Sequence, residues 1–400
     1  MKIAYVAHDL TDPAVHRRMR MFALGGATAT PIGFQRRPHS VTAVEGVEAI
    51  DLGVTVDGRL TRRAASIAGA LTNIDRLVAP IRDADAIVAR NLDMLLLAAR
   101  ARARCRSEAP LVYECLDIHR TLLSNRPDGA LLRLLETRLW RDVGLILTSS
   151  PAFVRNYFLP RRYPGPIRLV ENKILLAGDS IRQPARAPGP PWRIGWFGMI
   201  RCRKSFAILS RLTRAAQGAV EVVIRGRPSM ATFVDLEAAV ASEPYMRFAG
   251  GYRNPDDLPE IYGDVHLNWA IDFFEQGGNS EWLLPNRIYE GCAFGAPPIA
   301  LASVETGRWL AQRDAGVVLG DRVEESLAAF LIGLDRDRYA ALTAKVEALP
   351  QTDLICSRAD CRALVDVIGA AVRPDRSIPR RSDAAVPLGD RLKETARRAS

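Results

Sequence analysis

Two short segments of this chain carry the residue types and spacing best suited to holding a phosphorylated ligand. The first is LPNRIYEGCAFGAPPIA, Leu284 to Ala300. Pro285 before Asn286 predicts a strand-to-helix loop, with Asn286 capping the helix that follows. Glu290 then lies about one turn inside, where its carboxylate can reach hydroxyls of a ligand in a cleft, as acidic residues reach ribose in dinucleotide folds. Gly295 closes the helix, and the Pro297-Pro298 pair forbids its continuation. The amino end of such a helix offers free N–H groups and a positive dipole to a diphosphate. Taken alone, Glu290 reads more simply as a partly exposed helix carboxylate.

The second segment is GWFGMIRCRKSF, Gly195 to Phe206. A strand ending in Gly198 lets the backbone approach a ligand, and Arg201, Arg203 and Lys204 follow in a short loop. Arg presents a planar fork and Lys a point charge, and both suit phosphate. Lys204 stands out because the chain has only five lysines, Lys2, Lys173, Lys204, Lys345 and Lys393. The plainer alternative is a solvated basic turn. VEVVIRGRP, Val220 to Pro228, adds Arg225 and Arg227 at the end of another strand.

Proton-transfer chemistry points to a different part of the chain. PLVYECLDIHR places Asp117 and His119 at the carboxyl end of a strand, where an acid and an imidazole could deprotonate a hydroxyl. A hydrogen-bonded loop pair fits the same spacing equally well. The first loop, AHDLTDPAVHRR, holds His8, Asp9 and Asp12, and His16, Arg17 and Arg18 open the next helix.

These groups need elements to position them. Strands are predicted at KIAYVAH, TPIGF, DAIVAR, PLVYECL, LILTSS and IRLVEN, with helices at Leu92 to Cys105, Leu131 to Trp140 and Pro151 to Phe158. After a Pro-rich stretch, RQPARAPGPP, the alternation resumes with IGWFG, VEVVIRG, MRFAG, VHLNWA, APPIAL and GVVLG. Helices are predicted at Ser205 to Ala216, Met230 to Ser242 and Asn286 to Phe294. Alternating strands and helices predict an α/β chain with two doubly wound, Rossmann-like parallel-sheet domains. The expected division is a first domain over 1–181, a linker over 182–191, a second domain over 192–350, a helix within 351–372 and a basic tail over 373–400. Ligands of such sheets bind at the strands' carboxyl ends, so the default site is the cleft between the domains.

Composition narrows the partners. The chain has 400 residues, 48% hydrophobic and 25% charged, with a net charge of +10. This balance is that of a globular protein, and the excess positive charge favours an anionic partner. No basic segment interleaved with aromatics is present, which argues against nucleic acid and leaves nucleotides and an anionic membrane surface. No apolar run reaches the roughly 18 residues of a membrane span. His8 and Asp9 interrupt the N-terminus too early for a signal-peptide core, so a cytoplasmic location is expected. The six cysteines are scattered and read as reduced thiols. The tail is low in aromatic and β-branched residues and is expected to be a disordered, solvated segment, the alternative being a short basic helix over Leu388 to Arg398 on contact with a membrane.

The segment around Glu290 resembles the donor-binding signature of GT-B-fold glycosyltransferases, especially the large retaining family-4 group. That signature ends Glu–Ala–x–Ala–x–Gly–x–Pro, and here reads Glu290, Gly291, Cys292, Ala293, Phe294, Gly295, Ala296, Pro297. The resemblance implies that Glu290 and Asn286 hold the nucleotide, and that Gly198, Arg201, Lys204 and Arg227 line its phosphate and base side. It implies that the loop IDFFEQGGNSEW, with Asn279 and Glu281, faces the donor sugar. The family's usual second Glu is replaced by Trp282, which leaves the stereochemical outcome open. If the reaction inverts, Asp117 is the base; if it retains, His119 contacts the donor sugar. His8, Asp9 and Arg17 would line the acceptor side.

The opening KIAYVAHDLTDPAVHRRMRMF is similar to bacterial exopolysaccharide-assembly transferases of the succinoglycan type. These act on lipid-linked intermediates at the inner face of the cytoplasmic membrane. The expectation is a peripheral enzyme taking a nucleotide sugar and a lipid-linked glycan, with no metal and no cofactor. A nucleotide-sugar epimerase of the same fold and a non-catalytic member of an assembly complex are the alternatives.

Overall fold

The computed structural model describes residues 1–36, 41–55, 60–176, 181, 184–187 and 189–371. In the first half the strands are β1 (Lys2–Ala7), β2 (Thr28–Gln35), β3 (Ala43–Val44), β4 (Val47–Glu48), β5 (Ile50–Val54), β6 (Ala86–Arg90), β7 (Leu111–Cys115), β8 (Val143–Thr148), β9 (Ile167–Leu169) and β10 (Ile174–Leu175). The second half has β11 (Trp192–Ile200), β12 (Val220–Pro228), β13 (Met246–Phe248), β14 (Leu267–Trp269), β15 (Pro298–Leu301), β16 (Val317–Leu319) and β17 (Ile355–Cys356).

Seven strands form one parallel sheet in the order β5-β2-β1-β6-β7-β8-β9, and six form another in the order β13-β12-β11-β14-β15-β16. The central strands are buried along their whole length: every residue of AIVAR, LVYEC and VGLILT is buried. Such continuous apolar runs are what a sheet covered by helices on both faces requires. The fold is therefore two Rossmann-like units. Each puts helices on both faces of its sheet, and the two meet along the carboxyl ends of their strands.

Most predicted strands lie on observed ones, and the helix Leu92–Cys105 has the predicted bounds. The helix expected at Met230 to Ser242 is shorter, Leu236–Ala241, because Asp235 accepts the Ala238 N–H at 2.9 Å and starts it there. β5 was not anticipated, since IDLGV is only half-buried at the sheet edge and has no clean alternation. The helices Asp75–Arg82, Val323–Ile332 and Arg336–Glu347 were also not anticipated.

Two stretches cross between the units side by side. β10 pairs in parallel with β17. Ile174 packs with the second unit's core, and Cys356 packs with the first unit's. Beyond β17, the helix Arg358–Gly369 opens on a capping box of Ser357 and Asp360. It lays Cys361, Leu364, Val365 and Ile368 against Val15, Met19 and Phe22 of the helix Pro13–Leu24.

Part of the Pro-rich stretch is strapped down rather than loose. Arg186 donates to the carbonyls of Val265, Tyr262 and Phe294 at 2.6, 3.0 and 2.7 Å. The positions 182, 183 and 188 of the expected linker, and the tail with its basic stretch Leu388 to Arg398, lie outside the described residues.

Candidate active site

A cavity of about 280 Å³ opens between the two units. Its walls include Asp117 and Ser149 from the first unit, Asn172 from the crossing, and Gly198, Arg201, Asp272, Asn286 and Glu290 from the second. Asp117, Gly198, Arg201, Asn286 and Glu290, predicted from separate segments, thus share one space.

Gly198 and Gly226 are register partners on β11 and β12, with φ of +100° and +137°. A Cβ on Gly226 would fall 1.9 Å from the Gly198 carbonyl oxygen, so only glycine fits where these two strands close on the cavity. Arg201 follows and is fixed from two sides. Its guanidinium donates to Asp272 at 3.1 Å and lies 4.7 Å from the centroid of Phe274. A fork held in this way is preorganised for an anion.

Glu290 lies in the helix Asn286–Ala293 and is only 3% exposed. It accepts from the Asn254 amide at 2.7 Å and the Tyr262 hydroxyl at 2.9 Å. Burial raises its pKa above the ordinary 4.5, and the two hydrogen bonds only partly oppose this. The helix cap is Pro285, without a side-chain bond, and Asn286 is the first helical residue rather than the cap expected for it. First-turn N–H groups lack an intrahelical acceptor, and Asn286 and Arg287 both line the cavity.

On the opposite wall, Asp117 stands just beyond β7 and accepts the Asn279 amide N–H at 3.2 Å. His119 does not reach the cavity lining. It caps the short helix Arg120–Leu123, its ring nitrogen accepting from the Thr121 N–H at 3.3 Å.

Among solved structures, Anabaena HepE in complex with UDP and glucose superposes with a TM-score of 0.62 at 15% identity, over 92% of this chain and 98% of that one. The lipopolysaccharide outer core galactosyltransferase WaaB gives 0.60 at 13% identity, over 92% and 99%. WaaG, a glycosyltransferase involved in lipopolysaccharide biosynthesis, gives 0.58 at 12% identity, over 92% and 100%. These likenesses establish the GT-B fold. No family model matches the chain. The succinoglycan biosynthesis protein ExoL of Rhizobium meliloti (strain 1021) is 46% identical over 372 residues, which are 91% of this chain and 92% of that protein. The chain belongs to the ExoL family.

The structure of this ExoL-family chain places several of the expected site residues away from this cavity. Lys204 is in the first turn of the helix Arg203–Ala215, outside the cavity lining, with its ammonium 4.2 Å from the centroid of Phe273. Arg227 is exposed on β12 and also outside the lining. Glu281 turns back on its own loop and accepts the Gly277 N–H at 2.7 Å. Asn279 is 6% exposed, is itself outside the lining, and donates its amide N–H to Asp117 of the first unit. Trp282 packs edge-on against Phe153 at 6.5 Å, and its carbonyl accepts the Ser150 hydroxyl. The position of the family's second Glu is thus an anchor between the units.

The expected acceptor-side residues are held internally. Asp9 accepts from the Thr11 N–H and hydroxyl and from Arg36. Burial alone would raise its pKa, but these partners outweigh it and hold the carboxyl low. His8 contacts Asn91 at 3.2 Å. Arg17 donates to the Lys173 carbonyl at 2.5 Å, and the neighbouring Arg18 pairs with buried Glu114 at 2.5 Å. Neither guanidinium is therefore directed at an acceptor phosphate. Arg18, Glu114, Arg90 and Tyr5 form a buried polar cluster under the first sheet's carboxyl end.

Sequence reasoning missed Asn172, Tyr252, Asn254 and Asp272. The signals were the ENK after β9, the Asn-Pro turn chemistry of YRNP, and for Asp272 its place in the loop IDFFEQGGNSEW expected to face the donor sugar. Among the described residues no group of three or more His, Cys, Asp or Glu is placed to hold a metal ion, and no helix is long and apolar enough to cross a membrane.

Proposed function

We propose that this chain is a glycosyltransferase of exopolysaccharide biosynthesis that moves a sugar from a nucleotide-sugar donor to a lipid-linked glycan. The observation carrying this is that Glu290 and Arg201 share one cavity with Asp117 from the opposite unit. We place the division between units at 182–191, with the helix Arg358–Gly369 assigned to the first.

In this reading Glu290 accepts the ribose hydroxyls, and Arg201 with the first turn of Asn286–Ala293 faces the diphosphate. Three carboxylates line the cavity: Asp117, Asp272 and Glu290. Asp272 is ion-paired with Arg201, and Glu290 is buried with both oxygens bonded to Asn254 and Tyr262, whereas Asp117 is exposed and holds the Asn279 amide on one oxygen, so proton transfer is assigned to Asp117. Asp117 takes the proton of the acceptor hydroxyl as its oxygen bonds to the anomeric carbon. The bond to the diphosphate breaks, and that group leaves with the electron pair. Arg201 and the helix amino end offset the developing charge. With Trp282 packed into the first unit and Asp117 acting as base, the reaction inverts the anomeric centre. Lys204 contributes charge at the mouth rather than a contact. A thermal-shift comparison of UDP- and GDP-sugars tests the donor half: one class should raise the melting temperature, and no response to either would contradict it.

A peripheral membrane setting is supported by the helix Pro127–Leu139, which begins ten residues after Asp117. Its outward stripe exposes Leu131 at 67% and Leu134 at 52%, bordered by exposed Arg126, Arg138 and Arg141. Each such Arg contributes about 1 kcal/mol near an anionic surface. The double variant Leu131→Asp, Leu134→Asp should lose sedimentation with phosphatidylglycerol vesicles yet keep its nucleotide-sugar response. Retained sedimentation would show that this face does not dock on lipid.

A further inference from the structure

Resting on the reading of Asp117 as base, we propose that Asn279 is a positioning residue that delivers the donor loop's control of that base across the cleft. Asp117 sits exposed just beyond the end of β7. Asn279, by contrast, is buried. Its amide donates to Asp117 Oδ1 at 3.2 Å, and its oxygen accepts the Ile118 N–H at 3.4 Å. Burial raises the Glu275 pKa and the nearby Asn279 side chain partly opposes it, so one amide stands between two carboxyl groups. It engages one oxygen of Asp117 and leaves proton transfer to the other.

The loop is built to hold Asn279 there. Trp282, three residues on, is anchored on Phe153 and Ser150 of the first unit. Gly278, just before, packs so closely that a Cβ would lie 3.3 Å from Leu123 Cδ1. At its other end the loop holds Arg201 through Asp272 and Lys204 over Phe273. One continuous segment, Ile271 to Trp282, therefore touches the cations of the diphosphate side and the base. Filling of the donor site and orientation of Asp117 are coupled through it.

The test is a double-mutant cycle between Asn279→Ala and Asp117→Asn, assayed with radiolabelled UDP-glucose, or the nucleotide sugar that gives the thermal shift, and a membrane lipid extract. Asn279→Ala should lower kcat about 10- to 100-fold with donor KM nearly unchanged, the size expected from a misplaced catalytic group. It should cost nothing further in the Asp117→Asn background. Asn279→Asp keeps the shape and the acceptor for Ile118 but removes the N–H donor and adds a third carboxylate, so it should be at least as impaired. Wild-type turnover in Asn279→Asp would overturn the proposal, as would a loss that multiplies in the cycle. A raised donor KM with kcat unchanged would instead make Asn279 a donor-sugar contact. Wild-type turnover in Asp117→Asn alone would remove the underlying assignment of the base, and the proposal with it; a failure confined to Asn279 leaves that assignment standing.

Discussion

Asp117→Asn is expected to lower kcat by about 10²- to 10⁴-fold, the usual contribution of a positioned general base. Nucleotide-sugar affinity should not change. The substitution is well suited to the question because Asn at 117 keeps the volume and can still accept the Asn279 amide N–H, so the contact between the units survives. What disappears is an oxygen able to take the acceptor's proton. Turnover under saturating donor and acceptor, compared with calorimetric donor affinity of the same protein, separates the two effects. A loss of affinity equal to the loss of turnover would mean that Asp117 binds donor rather than acting on acceptor.

Glu290→Ala carries the second large effect, on donor affinity. The carboxylate is buried, and its oxygens accept from Asn254 and Tyr262. Removing it deletes the proposed ribose acceptor and leaves both donors without their partner. The donor Kd should rise about 10- to 100-fold, roughly 1.4 to 3 kcal/mol. Thermal stability should fall as well, by about 1–3 kcal/mol for an unsatisfied buried donor.

The raised pKa of Glu290 adds a pH signature. The folded state holds this proton more tightly than the unfolded chain. Its stabilising effect is therefore present below the ordinary value of 4.5 and is lost as pH rises towards the raised value. Donor affinity runs the other way, because the ionised carboxylate is the better acceptor. Affinity should therefore weaken on acidification sooner than for an ordinary Glu, and Glu290→Gln should abolish that dependence. A calorimetric titration across the acid range reads this directly.

The parts of this architecture legible in the sequence share one property: their residues are neighbours in the chain. Glu290 with its Gly-Ala-Pro-Pro stop, and Gly198 with Arg201, are local patterns at the junction of a strand and a helix. Asp117 is likewise readable, because a polar residue ending a buried strand must emerge at the sheet's carboxyl edge. Asn172, Tyr252, Asn254 and Asp272 were not legible, since they come from three separate loops and only the fold brings them to one wall.

A charge's role depended on partners far along the chain. Arg18 and Glu114 look like loop and strand-end charges until they are seen paired in the interior. Lys204 satisfied the spacing of a phosphate contact, yet its ammonium rests over Phe273, a partner that lies far along the chain. Trp282 read as a missing carboxylate, whereas in the fold it is an apolar anchor.

Transfer itself is the most direct test of the central claim. Purified protein is incubated with membrane lipid extract and the radiolabelled nucleotide sugar that gives a thermal shift, and the label is followed into the lipid fraction. Label is expected in lipid with the wild-type protein, and at least about 100-fold less with Asp117→Asn. Interconversion of the free donor without lipid labelling would make the chain an epimerase. Absence of both, with the donor bound, would contradict a catalytic role.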